Sequence, residues 1–234
     1  MATGKLFLIP TPLGEESYTT LPHFVLENVK NLRYFVVERA KTARQFLKSV
    51  QMPVPLQDLN VEELNEHTAE KDILALLAPV LAGHDLGLMS EAGCPAVADP
   101  GAMLVRLAHQ KGVQVVPYVG PSSILLALMA SGLHGQSFAF VGYLPVTPPE
   151  RKKMLQNLER NAKNYHQTQL FIETPYRNNA MLADLLATLS PQTMLCVASQ
   201  LTTAEEFIKT KTIAEWKRAE LPDLNKKPTI FLFL

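Results

Sequence analysis

Nine consecutive residues, Ser90-Glu91-Ala92-Gly93-Cys94-Pro95-Ala96-Val97-Ala98, include almost no large side chain. They follow an apolar run, Leu86-Gly87-Leu88-Met89, and precede Asp99-Pro100-Gly101. The pattern predicts a buried strand, a loop of small residues, and a helix with Asp99 as N-cap and Pro100 at its first position. Small side chains let backbone approach a ligand, and the first turn of a helix has unpaired N–H groups to offer it. Strand-to-helix loops are usually shorter than this one, which favours a ligand loop over a plain connection. Four other segments at predicted strand ends carry suitable residues: Thr11-Pro12-Leu13-Gly14, Glu38-Arg39, Gly120-Pro121-Ser122-Ser123 and Glu173-Thr174-Pro175. Glu38 and Glu173 are candidates for taking a proton or orienting a substrate; each equally suits the N-terminus of the helix that follows. Lys41 and Arg177 are candidates for holding an anion, by point charge and by bidentate contact respectively, or are solvated helix residues. Cys94 reads as a small filler, Tyr118 and Tyr143 as packing or stacking rings, and Arg151-Lys152-Lys153 as a solvated face.

Several chemistries are absent from the pattern. No G-x-G-x-x-G follows the first strand, there is no P-loop, and no G-x-S-x-G elbow surrounds Ser122 and Ser123. The six histidines lack H-x-H or H-x-x-x-H spacing, and Cys94 and Cys196 stand alone. Neither a metal site nor a disulfide framework is expected, and a reducing cytoplasm is the default compartment. Lys and Arg total 22, as do Asp and Glu, so the net charge advertises no broad nucleic-acid surface. No apolar run approaches a membrane span, and Met-Ala-Thr-Gly-Lys lacks the features of a signal peptide.

The elements that must position these residues follow in order. Lys5–Pro10 is a strand, 21–29 a helix, Tyr34–Glu38 a strand, and a helix with Phe46 and Leu47 inward comes next. Residues 68–82 form one amphipathic helix with Ile73, Leu74, Leu77 and Leu81 on its apolar face. Strand 86–89, helix 101–110 and a buried strand, 113–116, complete an alternating strand–helix pattern, the mark of a parallel sheet. An apolar helix covers 124–130. Beyond it, the strands expected at 138–143, 169–173, 194–200, 205–210 and 229–234 include two in succession, so this sheet is mixed. Helices are expected at 150–162, at 176–189 behind a Thr174-Pro175 cap, and at 212–219. The fold class is α/β, with a parallel-rich N-terminal domain, 1–117, and a mixed C-terminal domain, 118–234.

The segments L-F-L-I-P-T-P-L-G, S-E-A-G-C-P-A-V-A-D-P-G, V-V-P-Y-V-G-P-S-S, G-Y-L-P and I-E-T-P-Y-R occur in this order. Together they resemble the tetrapyrrole methylase superfamily, the class III S-adenosylmethionine-dependent methyltransferases. The likeness is strongest to its bacterial small-subunit ribosomal RNA ribose 2′-O-methyltransferase branch. The resemblance covers nearly the whole chain. It implies two α/β domains with the cofactor, S-adenosylmethionine, in the cleft between them, usually in a homodimer. It assigns cofactor contacts to Pro12, Ser90, Glu91, Ala92, Gly93, Val97, Ser122, Ser123, Glu173, Leu201, Pro228 and Thr229. The implied acceptor is ribosomal RNA or the small ribosomal subunit. The alternatives are a tetrapyrrole or other small molecule, or a non-catalytic cofactor-binding module.

Departures from that branch fall mainly on the substrate side. Its I-G-N-L is Leu13-Gly14-Glu15-Glu16 here, and its E-D-T-R is Glu38-Arg39-Ala40-Lys41. Its A-R-E-L-T-K is Ala198-Ser199-Gln200-Leu201-Thr202-Thr203, without the charges. Its K-G-E is Lys226-Lys227-Pro228.

Overall fold

The structure, a computed structural model, describes residues 3–14, 18–65 and 67–234. Glu15 and Glu16, two of the departures above, lie outside them. The chain divides into two compact units, Met1–Ser122 and Ser123–Leu234.

The first unit runs β1 (Lys5–Ile9), α1 (His23–Val29), β2 (Tyr34–Val37), α2 (Ala40–Ser49), β3 (Asn60–Glu63), α3 (Glu70–Ile73), α4 (Ala78–Leu81), β4 (Leu86–Met89), α5 (Gly101–Gln110) and β5 (Gln114–Pro117). Its five strands are all parallel, in the order β3-β2-β4-β1-β5. The central strands are apolar on both faces because both faces are covered. Ile9, Phe35, Val37 and Met89 pack with Val25 of α1 and Phe46 and Leu47 of α2. On the other face Leu6, Val36, Leu86 and Leu88 pack with Ile73, Leu77, Val80, Leu104 and Ala108. Gly87 in β4 is required by this packing: a Cβ there would lie 2.6 Å from Ile9 Cδ1 and 3.0 Å from Phe35 Cδ1.

Three expectations change. The chain between Pro55 and Thr68 holds β3, which the sequence pattern hides: Asn60-Val61-Glu62-Glu63 is an edge strand with three exposed positions and no apolar alternation. Residues 68–82 are not one helix. A 3₁₀ turn, Leu74–Leu77, separates α3 from α4. Pro79 has no N–H and its ring crowds the carbonyl four residues back, which breaks the α-helical ladder there. The tighter turn rotates the buried stripe to Ile73, Leu77 and Val80, leaving Leu74 and Leu81 exposed. Finally, β5 is an edge strand with half-exposed valines rather than a buried one.

The second unit runs α6 (Ser123–Ser131), β6 (Phe138–Tyr143), α7 (Pro148–Tyr165), β7 (Thr168–Ile172), α8 (Asn178–Thr188), β8 (Met194–Ser199), β9 (Phe207–Thr212), α9 (Ile213–Trp216) and β10 (Thr229–Phe233). The strand order is β6-β7-β10-β8-β9. Only β6 and β7 are parallel; the other pairs are antiparallel, and the successive strands β8 and β9 form a hairpin. The core under α7 and α8 is Phe171, Leu195, Val197, Phe231, Phe233 and Trp216, with Leu155, Leu158, Leu182 and Leu185 from the two helices. Trp216 is fully buried and donates its indole N–H to the Leu195 carbonyl, 2.9 Å away. Arg151 is not part of a solvated face. It is buried, pairs with Asp184 of α8 at 2.5 Å, and donates to the carbonyls of Pro145 and Val146. Lys152 and Lys153 are exposed.

Candidate functional site

In the first unit the chain leaves β1 toward β2, and α1 and α2 lie on one face; it leaves β4 toward β5, and α5 lies on the other. The neighbouring strands β1 and β4 therefore diverge at their carboxyl ends, and such a switch point opens a crevice for ligands. Thr11–Gly14 and Ser90–Gly93 emerge there. The two segments are stitched together: Thr11 N–H donates to Gly93 O and Gly93 N–H to Thr11 O, both at 3.0 Å. The Thr11 hydroxyl also donates to Ser90 O at 3.3 Å. Gly93 has φ +76, a conformation that side chains oppose, and a Cβ there would lie 3.1 Å from Leu13 Cδ2. A cleft of about 180 Å³ opens beside this bridge, lined by Pro12, Gln45, Phe46, Ser90, Glu91 and Ala92 among others.

Glu38 sits just past β2 and reaches the same loop. Its Oε2 accepts from the Glu91 N–H at 3.3 Å. The Glu91 carboxylate turns the other way, accepting from the Thr42 hydroxyl at 3.1 Å and facing Arg39 Nε at 3.6 Å. Burial pushes the Glu38 carboxyl above its ordinary pKa; the Glu91 N–H offsets part of this, while the charges of Glu91 and Asp99 push it further up. Glu38 thus holds a proton more tightly than a surface glutamate does. Lys41 is exposed in the first turn of α2.

The rest of the loop is held by Asp99. Its carboxylate accepts from Ala96 N–H at 2.9 Å and Gly101 N–H at 2.7 Å. Ala96 and Ala98 both have positive φ, near +66 and +59, so this clamp holds strained backbone. The helix begins at Gly101 with Pro100 as N-cap, so proline stands one place earlier than expected while Asp99 still supplies the capping oxygen. Val97 is exposed at the loop's edge. Cys94 Sγ lies 3.5 Å from Pro121 O, and burial pushes its thiol pKa up, which suits a filler and not a nucleophile. Ser122 closes the first unit and Ser123 opens α6 of the second.

In the second unit, the strand ends of β7 and β8 and the start of β10 lie side by side. Glu173 is sealed, its side chain 1% exposed, and its Oε1 accepts from Arg177 Nη2 and the Thr174 N–H, both at 2.6 Å. The sequence offers Arg177 as an anion holder or a solvated helix residue; in the structure its Nη2 donates to Glu173 Oε1. Thr174 makes no side-chain cap; a 3₁₀ turn, Pro175–Arg177, leads into α8 instead. Asn178, which the sequence did not single out, is fully buried and donates to Lys227 O at 2.7 Å. It thereby holds the segment carrying Pro228 and Thr229. Thr229 is buried and bonds Ser199 Oγ and Lys227 O; Pro228 O accepts from Gln200 N–H. Leu201 is buried between Gln200 and Thr202, both in the left-handed region. Four buried polar atoms in this unit have no hydrogen-bond partner: Glu173 Oε2, Arg177 Nε, Asn178 Oδ1 and Thr202 Oγ1. Buried polar groups are nearly always paired, so each of these atoms calls for a partner or a role.

A parallel sheet with a bridged, small-residue loop at its switch point in one unit, and a mixed sheet whose strand ends hold unsatisfied polar groups in the other, make this a two-unit α/β protein. The chain belongs to the tetrapyrrole (corrin/porphyrin) methylases, whose family model matches residues 5–217. It is a methyltransferase. Among curated relatives, ribosomal RNA small subunit methyltransferase I of Xylella fastidiosa is 30% identical over 99% of this chain and 81% of its own length. The protein of that name from Neisseria meningitidis serogroup B is 32% identical over 95% of this chain and 72% of its own. The one from Vibrio cholerae is 35% identical over 70% of this chain and 56% of its own. The crystal structure of the methyltransferase CobJ superposes with a TM-score of 0.66 over 99% of this chain and 94% of that one, at 16% identity, and shares the fold. Among the described residues no helix is long and apolar enough to cross a membrane, and no group of three or more His, Cys, Asp or Glu is placed to hold a metal.

Proposed function

We propose that this chain transfers a methyl group from S-adenosylmethionine to ribosomal RNA of the small subunit, at a ribose 2′ oxygen, as a cytoplasmic homodimer. The observation that carries this reading is the Thr11–Gly93 bridge at the β1/β4 switch point, with Glu38 anchored to the same loop. The names of the curated relatives support the acceptor. Cofactor contacts are assigned to Pro12, Ser90, Glu91, Ala92, Gly93, Val97 and Ser122 on the first unit, and to Ser123, Glu173, Leu201, Pro228 and Thr229 on the second. The small loop residues and the positive φ of Gly93 fit a closely approaching ligand.

S-adenosylmethionine, when bound, would supply an electrophilic methyl carbon on a sulfonium, where a C–O bond would form as the C–S bond breaks and the thioether S-adenosylhomocysteine leaves. The protein's part is to hold the hydroxyl about 3 Å from that carbon and to receive its proton. Glu38 is the better base, since it is half-buried with a raised pKa, whereas Glu173 has its Oε1 committed to Arg177 and Thr174. Glu173 then acts by fixing Arg177, which is assigned to an acceptor phosphate on the second unit, as Lys41 is on the first.

Calorimetric titration with S-adenosylmethionine, followed by transfer of labelled methyl to small-subunit RNA from cells lacking this protein, tests the reading. Binding and incorporation at a ribose are expected. No binding by folded protein overturns the cofactor, and transfer only to a porphyrinoid overturns the acceptor.

A further inference from the structure

The turn before α8, Pro175–Arg177, and the Leu224–Lys227 segment before β10 are tied into one surface beside the cofactor-assigned Glu173 and Pro228. Lys226 N–H donates to Pro175 O at 3.0 Å, and Asn178 donates to Lys227 O at 2.7 Å. A third tie lies behind them: Asn179 Oδ1 accepts from Leu224 N–H at 2.7 Å. Lys226 is held at φ +60, so its conformation is imposed by these contacts. On the surface so fixed, the Tyr176 ring is 74% exposed, and the Lys226 ammonium lies 5.9 Å from its centroid. Arg177 is next in the chain, its guanidinium pinned from beneath by buried Glu173 while its side chain stays 38% exposed. Lys227 adjoins it, bordering a cleft lined by Glu205, Glu206 and Asp223 that repels phosphate on that side.

An exposed aromatic ring with cations fixed around it is the pattern that binds unpaired nucleotides: the ring stacks on a base while the cations meet the backbone. We propose that Tyr176, Lys226 and Arg177 form a docking surface for single-stranded RNA, with one unpaired base stacked on Tyr176 and the flanking phosphates on Lys226 and Arg177. The inference rests on the RNA reading above and says which face of the second unit meets the strand. The ring offers the face that Lys226 does not cover, and the ammonium stays within reach of the same nucleotide. Pre-ordering by the three backbone ties lowers the entropic cost of docking.

The test is the affinity of the full chain for a short, labelled single-stranded RNA of mixed sequence, measured by fluorescence polarisation across a salt series. Tyr176→Ala is expected to weaken binding roughly tenfold, the loss of one stacked base, while Tyr176→Phe keeps it. Lys226→Asn, a residue tolerant of the left-handed backbone, is expected to lower the slope of log affinity against log salt by about 0.7. Tyr165→Ala, at an exposed ring on α7, serves as the control and is expected to bind as wild type. The proposal is overturned if Tyr176→Ala binds RNA as tightly as wild type, or if Tyr176→Phe loses as much as Tyr176→Ala. Methyl transfer by the wild type separates the two levels. Transfer to RNA with undiminished binding by both site variants sinks the docking surface alone. Neither binding nor transfer by wild type sinks the RNA reading and the surface with it.

Discussion

Gly120 closes the coupling between the two loops of the first unit, and replacing it with alanine tests that coupling. A Cβ on Gly120 would lie 2.2 Å from Pro10 Cγ and 2.3 Å from Pro10 Cβ. Carbon atoms pack at about 3.5–4.0 Å, so the contact falls short by more than about 1 Å. Pro10 is a ring at the end of β1, next to the Thr11–Gly93 bridge, and cannot swing aside as a long side chain would. The backbone at Gly120–Pro121 must move instead. Overpacking of this kind costs about 1–3 kcal/mol, and the rigid partner argues for the upper end, about 3 kcal/mol. For a chain of this size that corresponds to a melting temperature lower by about 6–12 °C. Because Pro121 O faces Cys94 Sγ at 3.5 Å, the shift is transmitted to the Ser90–Val97 loop, and S-adenosylmethionine affinity falls with it. The assay is thermal unfolding by circular dichroism together with calorimetric titration of the cofactor. Gly135→Ala is the control, since a Cβ there meets no heavy atom within 4 Å. A Gly120→Ala protein that melts within about 2 °C of wild type and binds the cofactor equally well would refute the reasoning.

Two further substitutions test the charges. Burial lifts the Glu38 pKa above its ordinary value of 4.5, so the folded protein holds this proton more tightly than the unfolded chain. Stability from this group is therefore greatest below that value and is lost as pH rises through the folded pKa. Glu38→Gln is expected to be more stable than wild type at pH 7, with the advantage vanishing in acid, and to lose methyl transfer. An unchanged stability–pH profile by urea titration would count against the assignment. Arg151→Met leaves Asp184 without its partner and the carbonyls of Pro145 and Val146 without their donor. Breaking a fully buried pair costs about 3–5 kcal/mol; with the Asp184 side chain 36% exposed, about 2–3 kcal/mol is expected in urea unfolding. A loss under about 0.5 kcal/mol would return Arg151 to the solvated surface.

The strands were legible where burial on both faces leaves a continuous apolar run, as in Leu86–Met89 and in Met194–Ala198 of β8. Composition alone exposed the Ser90–Ala98 loop, because close backbone approach requires small residues whatever the fold. Long-range contacts decided the rest. β3 is a strand only because β2 offers it an edge. Arg151 looks solvated in a run of cations and is buried because Asp184 and two carbonyls converge on it from other elements. Asn178 shows nothing in sequence of its grip on Lys227, and Tyr176 nothing of its neighbour Lys226, since those partners are about fifty residues away. Glu38 stands at a strand end in the sequence, yet its pKa is raised first by burial and then by the charges of Glu91 and Asp99, an environment that forms only when β2 pairs with β4. The order of residues determined every strand but β3, the loop and the family resemblance, because these rest on local pattern. The tertiary structure decided which charges are buried and which groups share a surface, because desolvation and pairing depend on neighbours that only the folded chain assembles.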